Sequence, residues 1–275
     1  MPELPEAETI ARDLRRHVVG RTVTGVNVTH ADVLAPGLSS RALAAGVVGR
    51  RIRDVGRRAK NVVLRFEDGP VLVVNLGMTG RLVVSEAPRA AELRHVAVRF
   101  QLDHGGALLY DDVRRFGRLS LFTPDEWEAR QAEFGVEPLS DAFTAQRLHE
   151  MTSRSRSPIR NWLLDQRRVA GLGNIYANEA LFRARIHPAR PADSLSRAEA
   201  AGLRDAIRDV LTEAIRVRGT TLRDYRDARG EAGGFEPRLR VYGREGEPCP
   251  VCGTPIERLV LGGRSAFYCP HCQKK

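Results

Sequence analysis
A chain of 275 residues, 42% hydrophobic and 28% charged, is long enough to bury one or more cores, and its composition excludes a disordered or fibrous protein. Its longest apolar runs, such as Val71–Val74, are too short to span a bilayer, and Glu3, Glu6 and Glu8 exclude the positive-then-apolar pattern of a secretory signal, so a cytoplasmic protein with no membrane partner is expected. A net charge of +10 points to a polyanion, most often nucleic acid, with a solvated basic surface as the alternative.

Residues 1–19 open with Pro2, Glu3, Pro5 and Glu6 and continue with Ile10, Leu14 and Val18 at helical spacing. This predicts a helix with prolines and acids at its positive end. From Thr22 to Phe122 the pattern changes to short β-branched runs: Val23–Val28, Val62–Phe66, Val71–Asn75, Leu82–Val84, Val96–Phe100 and Ala107–Tyr110. Turn sequences such as Glu67-Asp68-Gly69-Pro70 separate them, which predicts an antiparallel β-sandwich or barrel. Residues 124–150 form a transition rich in Pro, Asp and Glu. From about 158 to 218 the pattern is helical, in segments Asn161–Asp165, Tyr176–Ala184 and Arg197–Arg218, with Ser194 or Ser196 as N-cap of the last. Gly219, Gly230, Gly233 and Gly234, with few apolar anchors between them, predict a mobile loop over 219–240. A small cysteine-bearing unit follows from about residue 241.

Arginines cluster at Arg50, Arg51, Arg53, Arg57 and Arg58, at Arg154, Arg156 and Arg160, and from Arg238 to Arg244. Aromatic content of 6% argues against single-stranded bases stacked on aromatic platforms. Lysine occurs only at Lys60, Lys274 and Lys275. A guanidinium does not give up its proton in a protein, whereas an ammonium can, so Lys60 reads as a position that needs an ammonium.

The strongest single motif is Cys249-x-x-Cys252 followed, after sixteen residues, by Cys269-x-x-Cys272. Two such knuckles present four thiolates to one tetrahedral zinc ion and leave no open position, so the metal is structural. Two disulfides fit poorly with a cytoplasmic chain. Between the pairs, Leu259–Arg264 and Ser265–Tyr268 read as a β-hairpin with Arg264 near its turn. There it either meets a phosphate or is a solvated turn residue; spacing does not decide between them. In Gly171-Leu172-Gly173-Asn174-Ile175-Tyr176-Ala177 a glycine pair precedes a helix start, a setting that admits a phosphate, and Asn174 adds a side-chain donor. No buried strand precedes it and no third glycine follows, so DNA backbone is a better ligand than a dinucleotide. After methionine removal Pro2 carries a secondary amine that titrates near neutrality and can act as a nucleophile, with Glu3 and Glu6 beside it as acids. On bare sequence, an ordinary helix start accounts for these residues better.

Taken together, Met1-Pro2-Glu3-Leu4-Pro5-Glu6, Arg57-Arg58-Ala59-Lys60, Leu76-Gly77-Met78-Thr79-Gly80, Arg114-Arg115-Phe116-Gly117, Gly173-Asn174-Ile175-Tyr176-Ala177 and the four-cysteine tail closely resemble the formamidopyrimidine-DNA glycosylase (Fpg/Nei) family of DNA glycosylase/AP lyases. The motifs appear in family order from residue 1 to residue 272. The resemblance implies an α+β multidomain fold. An N-terminal antiparallel β-sandwich with flanking helices (1–135) precedes a helix–two-turns–helix DNA-binding domain with a lesion loop at 220–240 (136–240), and a zinc-finger β-hairpin (241–275) closes the chain. It implies a monomer in the bacterial cytoplasm, at the nucleoid, that removes oxidised purines from damaged double-stranded DNA. Pro2 forms a Schiff base with the nucleotide's C1′, Glu3 is the acid–base partner, Lys60 donates a proton associated with β-elimination, and Arg264 assists δ-elimination and grips phosphate. Asn174 holds the DNA backbone, Met78, Arg114 and Phe116 fill the gap left by the flipped base, and Arg156 contacts DNA. The loop from Thr220 to Tyr242 closes over the extruded base, with Tyr242 among the DNA contacts.

The chain departs from the family pattern at Val113, where the family often has proline, and at Leu93, where it often has a DNA-contacting histidine that Arg94 would replace. Two other readings remain. One is the sister endonuclease VIII activity on oxidised pyrimidines, against which Leu4, Arg114-Arg115-Phe116 and the long glycine-bearing loop weigh. The other is a zinc-bearing DNA-binding protein without catalysis, which leaves Pro2-Glu3 and the isolated Lys60 unexplained.

Overall fold
A computed structural model describes residues 2–85, 93–221, 225–228 and 230–275. Met1 and residues 222–224 and 229 of the expected lesion loop lie outside the described residues. The chain divides into two compact units: the residues up to Glu133 together with Val217–Gly234, and Phe134–Arg216 together with Phe235–Lys275.

The first unit opens with helix α1 (Leu4–Val18), whose Leu4, Ala7, Ile10, Ala11, Leu14 and Val18 recur at intervals of three and four and are all buried. Eight strands follow: β1 (Val23–Val28), β2 (Ile52–Arg58), β3 (Asn61–Phe66), β4 (Val71–Asn75), β5 (Gly80–Ser85), β6 (Val96–Leu102), β7 (Ala107–Asp112) and β8 (Arg118–Phe122). They form two antiparallel sheets, in orders β1-β6-β7-β5 and β2-β3-β4-β8, around one core that α1 also enters. Val62, Leu64 and Phe66 of β3 and Leu72 and Val74 of β4 enter that core, and the paired Val63 and Val73 are buried on the opposite face. The expected β-sandwich is therefore present.

Several elements are absent from the sequence reading, among them both helices that begin within the 124–150 transition. Strand β2 occupies the arginine-rich stretch, where a bulge between Ile52 and Asp54 breaks the period-two alternation that announces a strand. Helix α2 (Ser40–Val47), capped by Ser39 on the Ala42 amide, buries only Leu43 and Val47, too little for a visible stripe. Strand β8 sends only Leu119 fully inward. Helix α3 (Pro124–Ala132) closes the first stretch of this unit, with a Thr123–Glu126 capping box and Trp127 buried 5.9 Å from Phe122.

By its contacts the segment Val217–Gly234 clusters with the first unit. Tyr225 and Ala228 join the β core, and Arg218 reaches Asp13 of α1 and Asp227.

The second unit holds α4 (Ala145–Thr152), α5 (Ile159–Leu164), α6 (Asn174–Arg183), α7 (Arg197–Arg216) and the hairpin β9 (Glu257–Leu261) and β10 (Arg264–Tyr268). Helix α6 is buried from Ile175 to Phe182 and packs on α7 and β10. Ser196 caps α7 through the Glu199 amide. Phe182, Val241, Ile256, Cys249 and Cys269 form the small core under the cysteine module, so that module shares a unit with the helices.

Candidate active site and metal centre
In the first unit, Pro2 and Glu3 directly precede α1 and both are buried. The Glu3 amide donates to Glu6 Oε2 at 2.7 Å, and Glu6 Oε1 accepts the Thr220 amide at 2.8 Å. One buried carboxylate thus joins the start of the chain to the segment that follows α7. Gly219, at φ 84°, allows this approach, because a Cβ there would lie 2.7 Å from Glu6 Oε1. Glu6, read from sequence as a candidate acid, is engaged in holding Glu3 and Thr220.

Lys60 is half-buried in the β2–β3 turn, where Ala59 adopts φ 54°. Arg57 ties this turn to α1, donating to Glu8 Oε2 at 3.0 Å and to the Ala59 carbonyl at 2.9 Å. Burial opposes ionisation of Glu8, but the Arg12 hydrogen bond and the charges of Arg57 and Arg12 outweigh it and hold the carboxyl below its usual range. From the same turn, Asn61 accepts from Asn75 at 2.9 Å, and Asn75 accepts the Gly77 amide at 3.0 Å. A relay of two amides therefore runs from beside Lys60 to the tip that carries Met78.

Met78 (38% exposed) and Phe116 (55% exposed) stand on two adjacent loops. The Arg114 guanidinium lies 4.6 Å from the Phe116 ring centroid. Gly77, at φ 59°, abuts the neighbouring backbone: a Cβ there would lie 2.5 Å from the Gly117 nitrogen. Apolar side chains of this size at exposed loop tips are not core residues.

The second unit gathers Asn174 and Arg264 around Arg160. The Arg160 guanidinium is fully buried and donates to Asn161 Oδ1 (2.9 Å), the Leu261 carbonyl (3.0 Å), Asn174 Oδ1 (2.7 Å) and the Ser265 carbonyl (2.7 Å). These four acceptors are neutral, so the cation keeps its charge beside them. Burial and the nearby Arg264 charge lower the Arg160 pKa to about 10, which still leaves it protonated at neutral pH. Asn174 Nδ2 donates to the Ser265 carbonyl at 3.1 Å, which fixes the side chain at the first turn of α6. Arg264 is exposed at the first position of β10, after the Gly262-Gly263 turn. Arg156 is 95% exposed, 3.8 Å from Asp193. Tyr242 meets Phe267 edge-on at 5.2 Å, and its amide donates to the buried Glu179 at 2.9 Å.

The four cysteines are free thiols whose Sγ atoms lie within 4.8 Å of one another. Cys249–Cys272 is 4.0 Å, and Cys252 is 3.5 Å from both Cys269 and Cys272. A tetrahedral ion with Zn–S bonds of about 2.3 Å separates its thiolates by roughly 3.8 Å, so the set fits one structural zinc. The Val251 and Cys272 amides point at Cys249 and Cys269 sulfur atoms at 3.5 and 3.4 Å, as donors to thiolate ligands do. Gln273 anchors the second knuckle, accepting from the Cys269 amide and donating to the Ile186 carbonyl, both at 2.9 Å.

Sequence reasoning missed the buried polar residues beneath these features: Asp112, Glu179, Asn178 and the central place of Arg160. The available signals were weak. Asp112 ends an apolar run, and Glu179 and Asn178 sit inside an otherwise apolar helix.

Three family models match. The formamidopyrimidine-DNA glycosylase N-terminal domain covers residues 1–119, the H2TH domain of the same glycosylase 134–226, and the zinc finger found in FPG and IleRS 246–275. Formamidopyrimidine-DNA glycosylases of Desulforamulus reducens and Chloroflexus aggregans are each 46% identical, over 100% and 99% of this chain and 99% and 98% of theirs. Among solved structures, a mutant Lactococcus lactis FPG in complex with Fapy-dG-containing DNA superposes with a TM-score of 0.91 at 32% identity, covering 100% of both chains. The MutM (FPG) protein of Thermus thermophilus gives 0.87 at 43% identity, covering 99% of this chain and 98% of its own.

Proposed function
The chain belongs to the formamidopyrimidine-DNA glycosylase family, and from that premise we propose that it binds damaged duplex DNA, excises oxidised purines such as 8-oxoguanine and formamidopyrimidines, and then cuts the strand in base excision repair. The observation that carries this reading is the end-to-end match to relatives of that activity at 46% identity.

With Met1 removed, the Pro2 amine has a reference pKa of about 8, so a useful fraction is unprotonated at neutral pH. It forms a bond to C1′ as the base departs, and opening of the sugar leaves an iminium. The iminium draws electrons from C2′, so loss of a C2′ proton expels the 3′ phosphate oxygen, and a second elimination releases the 5′ side. Glu3, buried beside Pro2, serves as acid–base partner, and Lys60 supplies a proton associated with the first elimination. Arg264 and Asn174 grip phosphate, a role supported by the nearby Arg160 cation, whose four hydrogen-bond acceptors are neutral. Met78, Arg114 and Phe116 occupy the space of the extruded base, offsetting part of the few kcal/mol that unstacking costs. Arg156 and Tyr242 add DNA contacts. The protein acts as a monomer, in the cytoplasm at the nucleoid; no described helix is long and apolar enough to cross a membrane.

Borohydride reduction during turnover tests the assignment. A duplex with 8-oxoguanine opposite cytosine gives a covalent protein–DNA adduct with the wild type and none with Pro2→Gly. An undiminished adduct in that variant moves the nucleophile elsewhere. No adduct with the wild type reduces the protein to a binder, and preferential cleavage of thymine glycol makes it an endonuclease VIII-type enzyme.

A further inference from the structure
Asp112, the last residue of β7, is fully buried, and its carboxylate accepts from the loops that carry Met78, Arg114 and Phe116 and from the strand beneath them. Oδ1 accepts the Thr79 hydroxyl at 2.5 Å. Oδ2 accepts the Gly117 amide at 2.9 Å and the Tyr110 hydroxyl at 3.0 Å. The Thr79 hydroxyl, having given its proton to Asp112, accepts the Arg114 amide at 3.0 Å. These four bonds anchor the residue after Met78, the backbone of Arg114 itself and the residue after Phe116. Burial first, and the Asp112 charge next, push the Tyr110 pKa far above its usual value, so Tyr110 stays a donor. The adjacent Asp111 is engaged elsewhere, accepting the His95 amide at 2.9 Å, and does not duplicate the role.

Each loop has braces of its own, the Gly77 amide on Asn75 Oδ1 and Arg115 on Asp32 Oδ2, whereas the Asp112 carboxylate bonds to both loops. Between the anchors, Val113 is 43% exposed and Arg115 is in the left-handed region at φ 53°. A neutral amide at position 112 would keep one acceptor, lose the charge that strengthens all three bonds, and turn an N–H group toward either the Thr79 side or the Gly117–Tyr110 side.

We propose that Asp112 is a positioning residue that locks the Met78 loop to the Arg114–Phe116 loop, so that the three side chains enter the DNA as one rigid wedge when the damaged base is extruded. This rests on the reading of those side chains as void-filling. The lock acts only where there is a stack to penetrate. A lesion in duplex DNA needs it, whereas an abasic site in a single-stranded oligonucleotide presents no partner base and needs only the Pro2 chemistry.

The test compares single-turnover excision of 8-oxoguanine from a duplex with cleavage of a single-stranded abasic oligonucleotide. Asp112→Asn is expected to slow the first about tenfold or more while the second stays within about twofold, as misplacement of a substrate-positioning group predicts. Thr79→Val, which cuts the Asp112–Arg114 relay alone, follows the same pattern, and Thr79→Ser, which keeps the hydroxyl, restores duplex excision. If Asp112→Asn does not fold, the Thr79 pair decides. Wild-type duplex excision by Asp112→Asn and Thr79→Val overturns the proposal, as does equal loss on both substrates. Phe116→Ala separates the two layers. If it is impaired while the lock variants are not, only the lock fails. If it too excises at the wild-type rate, the wedge reading fails with it.

Discussion

Replacing Arg218 with methionine removes a guanidinium from between two buried carboxylates and keeps most of its apolar stem. Arg218 Nε lies 2.6 Å from Asp227 Oδ2, and Nη2 contacts both Asp227 and Asp13; the two acid side chains are almost completely buried. The arginine is about a third exposed, so the local dielectric is not that of a dry interior. At an effective dielectric near 20, each contact at about 4 Å is worth roughly 4 kcal/mol before desolvation. Removing one partner of a buried pair costs about 3–5 kcal/mol, and the partial exposure discounts this to about 2–4 kcal/mol for the variant. The loss falls on one segment, because Arg218 ties Val217–Gly234 to α1, and Thr220 two residues later holds Glu6 and through it Glu3. Hydrogen exchange and limited proteolysis across 217–234 should therefore report the damage more strongly than the global melt. Adding Asp13→Asn to Arg218→Met removes one of the two stranded charges and should recover part of the loss. Asp13 is the informative partner, because Asp227 also accepts the Glu231 amide at 2.9 Å. Wild-type protection of the segment in Arg218→Met, or no recovery in the double variant, would refute the claim that this ion triad holds the segment in place.

The thiolate set makes a second prediction. A strong chelator should release one zinc per chain, measured with a chromogenic metal dye, and weaken DNA binding as the β9–β10 hairpin loses its staple. Release of no metal, or full binding after release, contradicts it. A third concerns acid stability. The Arg190 hydrogen bond, against the opposing effect of burial and with help from Ser196, holds the Glu199 carboxyl at about 2. Its folded value is depressed, so its contribution is fully present above the unfolded value of about 4.3 and disappears as pH falls toward 2. The difference in melting temperature between wild type and Glu199→Gln should be constant from pH 7 to about pH 5 and close below that; a gap of unchanged size at the lowest pH at which both still fold rejects the coupling.

What could be read in the chain before its structure was known follows a physical division. Signals that act between chain neighbours were legible. The three-and-four spacing of Ile10, Leu14 and Val18, the β-branched runs of β3 and β4, the Ser196 cap and the two Cys-x-x-Cys knuckles each impose a geometry within a few residues. Where local pattern was disturbed, reading failed: the bulge in β2 shifted its alternation by one residue, and α2 buried too few side chains to leave a stripe. The polar groups that hold the site were illegible for a different reason. Asp13 meets Arg218 across 205 residues, Glu179 meets the amides of residues 240–242 across about sixty, and Arg160 meets Ser265 across 105. Little adjacent to Asp13, Glu179 or Arg160 distinguishes it from a solvated charge, because the cost of burying such a group is offset only by partners that the finished fold delivers. The side chains proposed to meet the substrate carry family motifs, while the buried polar groups beneath them are mostly dispersed single residues. Substitutions at the dispersed set, Glu179, Arg160 and Arg218, should therefore alter the enzyme's behaviour without touching any motif by which it would be recognised.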